Sequence, residues 1–318
     1  MAHPRLRGGP GMTRVAAIDC GTNSIRLLVA DVDGEVKTDH LREMRIVRLG
    51  EGVDRTGRLD PAAVGRAVEA TREFVGQAEV LGAEVVRFCA TSAARDAANA
   101  DEFLDAIESV VGVRPEILSG DAEARASFLG ATRDVGQGPT VVADIGGGST
   151  ELVAGDGEQV DHAESFDIGS VRLTERFLAS DPPTIAEITE LIDHLDDVLA
   201  ASVDGWSPIE RFVGVAGTVT TVAAHALGLD SYDSARIHGA VLPVPTVRAA
   251  CVSLVQMPVA DRRALPFMHH GRADVIGAGA LILDRLLEVL PLATGDVLVS
   301  ERDILDGIAW GAVEAPGR

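Results

Sequence analysis

The chain has 318 residues, long enough for two hydrophobic cores, and a formal net charge of −21 that leaves no overall basic footprint for DNA or RNA. Apolar residues are 46 %, charged residues 24 % and aromatic residues only 3 %, so the cores rest on Val, Leu, Ile and Ala, and few rings remain to stack on bases. Cys20, Cys89 and Cys251 stand far apart, which excludes a disulfide framework or a C-x-x-C zinc site, and no apolar run approaches the roughly 18 residues of a membrane span.

In chain order, residues 1–13 hold Pro, Gly and Arg without an apolar stripe and are expected to be a disordered extension, with Met12 a second candidate start. A strand then leads through Asp19-Cys-Gly21-Thr22-Asn23-Ser24 into a second strand. Asp60-Pro61 opens a helix whose predicted inward stripe is Val64, Val68, Thr71, Val75 and Ala78, with Gly82 as its stop. A strand over 84–90, a helix over 99–111 with Phe103, Leu104, Ile107 and Val110 inward, a strand over 114–118 and a helix over 121–132 follow. The glycine-rich stretch 134–139 separates the halves.

The second half restarts with the pattern of the first. Val141-Val-Ala-Asp144-Ile-Gly146-Gly147-Gly148-Ser149 runs into Thr150-Glu151-Leu-Val, and aligning Asp19 with Asp144 also aligns Gly21 with Gly146 and Ser24 with Ser149. A strand, Asp-x-Gly turn and strand thus occurs twice, which predicts two related domains. Thr184-x-x-Glu187 is a capping box for a helix carrying Leu191, Leu195 and Leu199; a strand over 211–215 and a helix over 217–227 come next. The periodicity assigns nothing between 228 and 302. Strand–helix alternation in both halves predicts an α/β fold, with a domain over 14–133, another over 139–318, and a C-terminal helix near 303–313 free to pack back on the first. Ligands are expected where strand ends meet loops, in a cleft between the domains.

The chemistry concentrates at these loops. Gly146, Gly147 and Gly148 let a backbone approach an anion and present N–H groups to phosphate oxygens, and Gly21, Thr22, Asn23, Ser24 and Ser149 complete the two loops. Asp144 and Glu151, with Asp19, are hard oxygen ligands suited to Mg²⁺. Gly217 and Thr218 fit either an anion nest at a helix N-terminus or a plain N-cap. The run Arg42, Arg45, Arg48, Arg55, Arg58 is compatible with a track for a long polyanion and equally with a solvated edge strand. His269-His270 reads as a loop cap, because adjacent side chains project apart.

The motifs Ala17–Ser24, Ala90-Thr-Ser-Ala-Ala-Arg95-Asp-Ala97, Ile117-Leu-Ser-Gly-Asp-Ala-Glu123-Ala-Arg125, Asp144–Glu151, Ala216-Gly217-Thr218 and Arg272-Ala-Asp-Val-Ile276 occur in this order across 14 to about 313. In that combination the chain resembles the exopolyphosphatase / guanosine pentaphosphate phosphohydrolase (Ppx/GppA) family, in its short two-domain form. The resemblance implies two actin-like, ribonuclease H-like domains of the ASKHA superfamily. It also implies Mg²⁺-dependent hydrolysis of the terminal phosphate of polyphosphate or pppGpp. Glu123 matches the family's catalytic carboxylate and Arg95 its phosphate-contacting arginine. The family often has two adjacent carboxylates at this point, and here Ala122 precedes Glu123, which leaves the role of Asp121 open. A homodimer and a cytoplasmic location are further expectations of the resemblance. Rival readings are a kinase or ATPase of the same superfamily and a non-catalytic sensor of polyphosphate or pppGpp.

Overall fold

The computed structural model describes residues 11–33, 36–133, 135–136, 138–157, 159–203, 206 and 208–314. The expected extension lies outside the described residues up to position 10, and the expected separator does so at positions 134 and 137. The chain forms two compact units, one running to Gly130 and resuming at Ile304, the other Ala131–Asp303.

The first unit contains β1 (Thr13–Cys20), β2 (Ser24–Val32), β3 (Lys37–Ile46), α1 (Val53–Thr56), α2 (Pro61–Leu81), β4 (Val85–Ala90), α3 (Ser92–Arg95), α4 (Ala100–Val111), β5 (Glu116–Ile117) and α5 (Gly120–Thr132). Its sheet has the order β3-β2-β1-β4-β5, an antiparallel meander extended by two parallel strands. The first strand starts at Thr13, one residue inside the segment expected to be disordered, and β5 is shorter than the predicted 114–118.

Helix ends fall where local chemistry puts them. Asp60 accepts hydrogen bonds from the amides of Ala62 and Ala63, and Gly82 and Gly112 close α2 and α4 in the left-handed conformation. The buried face of α2 differs from the prediction: Ala63, Ala67, Ala70, Phe74 and Ala78 face inward with Thr71, while Val64, Val68 and Val75 are only partly covered. Small alanines let the helix approach the sheet closely, and Phe74 fills the remaining depth. Val110 likewise lies beside the buried face of α4.

The second unit contains β6 (Thr140–Ile145), β7 (Thr150–Asp156), β8 (Gln159–Phe166), α6 (Ser170–Phe177), α7 (Ile185–Val203), β9 (Arg211–Val215), α8 (Ala216–Ala226), α9 (Ser234–Ile237), β10 (Val241–Pro243), α10 (Val244–Gln256), α11 (Val259–Ala264), α12 (Ile276–Val289) and β11 (Asp296–Val299). Its sheet order is β10-β11-β9-β6-β7-β8, with β9 and β11 parallel to β6 and β10 an added antiparallel edge. Leaving β10 aside, both sheets share one order and one set of strand directions, the ribonuclease H-like arrangement of actin-like domains. The capping box forms in both directions: the Thr184 amide donates to Glu187 Oε2 at 2.6 Å, and the Glu187 amide to Thr184 Oγ1 at 3.3 Å. Helix α12 gives no periodic signal because it is covered all round; every residue from Ile276 to Leu283 is buried.

The last helix, α13 (Ile304–Glu314), joins the first unit. Alternate residues of β1 serve opposite faces. Ala16 and Ile18 join Phe74, Phe103 and Ile107 on one side; Val15 and Ala17 meet Leu305, Ile308 and Trp310 of α13 on the other. Asp306 of α13 is 0 % exposed and accepts from Arg42 Nη2 at 2.7 Å, with Lys37 Nζ at 3.0 Å. Arg45, on the same edge strand, pairs with Glu43 at 2.9 Å and lies over the Phe74 ring. Arg42 and Arg45 of the basic run thus lie on the edge strand β3, where Arg42 secures a helix. Arg58 pairs with Glu102 at the surface.

Gly307 is where α13 meets α5: a Cβ there would collide with the Ala126 carbonyl. Gly307→Val is expected to destabilise the protein by about 2–3 kcal/mol, the scale of overpacking a dense contact. Urea denaturation checks this, and an unchanged midpoint would mean that α13 accommodates the side chain.

Candidate active site

In the first unit, Asp19, next to last in β1, stands directly opposite Arg26 on β2, and both Nε and Nη2 of Arg26 donate to Asp19 Oδ2, at 2.9 and 2.7 Å. The turn closes by a bond from the Gly21 amide to the Ser24 carbonyl. Its tip is held through carbonyls: Thr22 O accepts from the Gly50 amide, and Asn23 O from the amides of Val47 and Arg48. Thr22 Oγ1 meets Ser92 Oγ at 2.9 Å.

Glu123 sits in the first turn of α5, where its amide donates to the Ser119 carbonyl and Ser119 Oγ accepts from the Ala122 amide. It is 7 % exposed, unusually covered for a carboxylate at a helix start. Arg95, the last residue of α3, donates from Nη1 to Glu123 Oε2 at 2.9 Å and to the Leu118 carbonyl at 3.0 Å. The two residues expected to be catalytic are thus in contact. Arg95, expected to contact phosphate, balances the charge of Glu123 and limits its rotamers. Asp121 pairs with Arg125 one turn on, both more than half exposed.

In the second unit, the turn after β6 repeats the first, with the Gly146 amide donating to the Ser149 carbonyl at 3.0 Å. Asp144 stands directly opposite Glu151, so both side chains project from one face of the hairpin. Both are buried, and Ser165 Oγ on β8 donates to Glu151 Oε1 at 2.7 Å. Superposing the repeats puts Glu151 where the first unit has Arg26. The first hairpin therefore joins its Asp to a cation; the second places two carboxylates side by side.

The carbonyls of the triple-glycine loop face the start of α6. Gly146 O accepts from the Ser170 amide, and Gly147 O from the amides of Val171 and Arg172. Among the described residues, no acceptor meets the amides of Gly147 and Gly148.

Gly217 and Thr218 stand in the first turn of α8, which has no side-chain cap, directly after Ala216 in the left-handed conformation at φ 64°. Thr218 is buried against Gly279 of α12. The guanidinium of Arg272 covers Gly217 so closely that a Cβ there would collide with it, and Arg272 Nη1 donates to Thr221 Oγ1 at 2.8 Å. This turn thus carries an arginine that the loop motif alone does not announce. His269 caps its own loop, accepting from the Gly271 amide at 3.2 Å.

Residues 28–313 match the Ppx/GppA phosphatase family. The chain belongs to that family. It is 46 % identical to Exopolyphosphatase 2 of Mycobacterium tuberculosis over 319 residues, covering 94 % of this chain and 98 % of that one. An exopolyphosphatase-like protein of known crystal structure shares 42 % identity at a TM-score of 0.89, covering 95 % and 98 % of the two chains. The Aquifex aeolicus Ppx/GppA family member shares 32 % identity at a TM-score of 0.81, again covering 95 % and 98 %.

As a Ppx/GppA phosphatase, the chain carries these motifs in both of its units. Among the described residues no three of His, Cys, Asp and Glu gather as a metal-holding group, so Asp144 and Glu151 stand as a pair. Of the arginines at these loops, Arg272 stands in one of the motifs quoted from the sequence, while Arg26 and Arg172 escape motif reasoning. Of these two, Arg26 had a sequence signal, its place across the hairpin from Asp19. No helix among the described residues is long and apolar enough to cross a membrane.

Proposed function

We propose that this protein is a cation-dependent exopolyphosphatase, removing the terminal phosphate of inorganic polyphosphate by in-line attack of water. The observation that carries the reading is Glu123, a buried carboxylate held by Arg95. Hydrolysis needs a fixed base that orients a water and takes its proton as the new P–O bond forms and the bridging P–O bond breaks. The products are orthophosphate and a chain shorter by one phosphate. The amides of Gly147 and Gly148 hold non-bridging oxygens of the substrate, with Ser149 beside them, and the loop Gly21–Ser24 and the turn at Gly217–Thr218 are further phosphate contacts. The similarity to a relative named Exopolyphosphatase 2 supports this substrate class.

Asp144 and Glu151 fit a magnesium ion. They are two hard oxygen donors facing each other across the hairpin, with no His or Cys joining them in a metal-holding group among the described residues, and Mg²⁺ is commonly held by one or two carboxylates plus water and phosphate oxygens. When bound, the ion neutralises charge that develops on the transferred phosphoryl oxygens. Asp19, bound to Arg26, serves in this reading to orient that arginine.

The deciding experiment is phosphate release from polyphosphate, pppGpp and ATP, with Mg²⁺ and with EDTA. Release from polyphosphate that stops in EDTA and returns with Mg²⁺ is the expected result. Asp144→Asn should raise the Mg²⁺ concentration for half-maximal activity at least tenfold, because one charged donor is lost. Release from pppGpp alone would move the substrate to the nucleotide, transfer to an acceptor other than water would make it a kinase, and full activity in EDTA would remove the metal.

A further inference from the structure

The triple-glycine loop has its own mounting. Each of its glycine carbonyls is engaged by the segment Gly169–Arg172. The Ser170 amide bonds Gly146 O at 2.9 Å, the Val171 and Arg172 amides bond Gly147 O at 2.8 and 3.1 Å, and Arg172 Nε bonds Gly148 O at 2.7 Å. Arg172 is itself largely buried, with Nη2 at 3.6 Å from Asp167. Gly169 lies against the loop from the same side. Its backbone is ordinary extended chain, φ −133° and ψ 159°, so glycine is required there for room and not for conformation. A Cβ at Gly169 would collide with the backbone of Gly147 and Gly148. Thr150 Oγ1 donates to the Ile168 carbonyl at 2.5 Å and ties the same segment to the start of β7.

A peptide unit points its N–H opposite to its C=O, so holding successive carbonyls on one side turns the amides that follow them to the other. The amides of Gly147, Gly148 and Ser149 belong to the same peptide units as the carbonyls of Gly146, Gly147 and Gly148. The first turn of α6 is therefore spent on the loop, and the loop carries its polarity onward. We infer that Arg172, with Gly169, is the positioning element of this loop, aiming its amides at a phosphate without touching the substrate. The inference rests on the reading of Gly146–Ser149 as a phosphate-binding loop.

Arg172→Ala leaves Gly148 O without its charged donor and lets that peptide unit rotate. Phosphate contact through the loop acts in the ground state and transition state alike, so KM for polyphosphate should rise about tenfold while kcat stays within twofold. Arg172→Lys still delivers a cationic N–H and should restore KM to within threefold of wild type. Gly169→Ala should raise KM by at least as much as Arg172→Ala. A merely structural role gives the opposite split: fewer folded molecules lower the apparent kcat at constant KM. Should Arg172→Ala fail to fold, Arg172→Met keeps the aliphatic stem and carries the same test.

Gly148→Ala, which alters the loop itself, separates the inference from the reading beneath it. A raised KM for Gly148→Ala with an unchanged KM for Arg172→Ala overturns the positioning role and leaves the phosphate loop standing. Unchanged KM for both removes the phosphate loop, and the inference with it. Equal KM values for Arg172→Lys and Arg172→Ala would also overturn it, because the donor would then be irrelevant.

Discussion

Glu123→Gln is expected to lower turnover on polyphosphate by at least about 10²-fold, the smaller end of what a positioned base contributes, with KM close to wild type. Glutamine has the same shape, and its amide oxygen can still accept from Arg95 Nη1, so the 2.9 Å contact and the first turn of α5 should survive. What disappears is the capacity to take a proton from water. A melting temperature within a degree or two of wild type, with turnover lost, assigns the base to Glu123. Turnover within threefold of wild type would move the base to another group. Arg95→Ala is the companion measurement. It leaves a carboxylate that is only 7 % exposed without the guanidinium that fixes it. Both stability and turnover should then fall, whereas Glu123→Gln separates them.

Asp306→Ala should produce the largest loss of stability. Lys37 and Arg42 both turn to this buried carboxylate and share a second, half-exposed one, Asp39; the Lys37 side chain is 3 % exposed, and removing Asp306 leaves Asp39 alone to balance both cations. Breaking a buried ion pair from one side costs about 3–5 kcal/mol. The loss should appear as a lower denaturation midpoint of the first unit, to which α13 belongs. The mechanism has its own check. Replacing Asp306, Lys37 and Arg42 together by apolar residues of similar volume should recover most of the loss, since the carboxylate that then loses its partners, Asp39, is half-exposed to water. A triple variant no better than Asp306→Ala would mean that packing, not charge, is responsible.

The same cluster has a pH signature. Burial alone pushes the Asp306 carboxyl up, but Arg42 and Lys37 outweigh it and hold the group below the ordinary carboxylate value of 3.8. A carboxylate depressed in the folded state adds stability that is present above its unfolded pKa and is lost as pH falls through the lower folded value. Wild type should therefore shed this increment on acidification below about pH 4, and Asp306→Ala should show a flatter acid limb. Arg42 is accordingly a poor candidate for a polyphosphate track, and its replacement should register in stability rather than in KM.

Much of this protein was legible in the chain because the relevant physics is local. Asp60-Pro61, Gly82, Gly112 and the Thr184–Glu187 box mark helix ends through contacts a few residues apart, and they occur in the structure as read. The two Asp-x-Gly hairpins were visible as a repeat, and the repeat carries over into a shared sheet order. Family motifs named Glu123 and Arg95, but their mutual contact depends on α3 and α5 meeting across 28 residues of sequence. Tertiary structure alone decided the remainder. Arg42 reads as part of a basic run until Asp306, 264 positions away, closes on it. Alanines displaced valines from the face of α2 because the approach of helix to sheet, not residue hydrophobicity, sets which side chain fits. Asp19 and Asp144 occupy the same place in their repeats, yet one faces Arg26 and the other Glu151, and cross-strand register turns that single difference into an ion pair in one unit and a carboxylate pair in the other. Sequence specifies short-range caps and turns directly, whereas the charge of a site is a sum over neighbours that only the folded chain brings together.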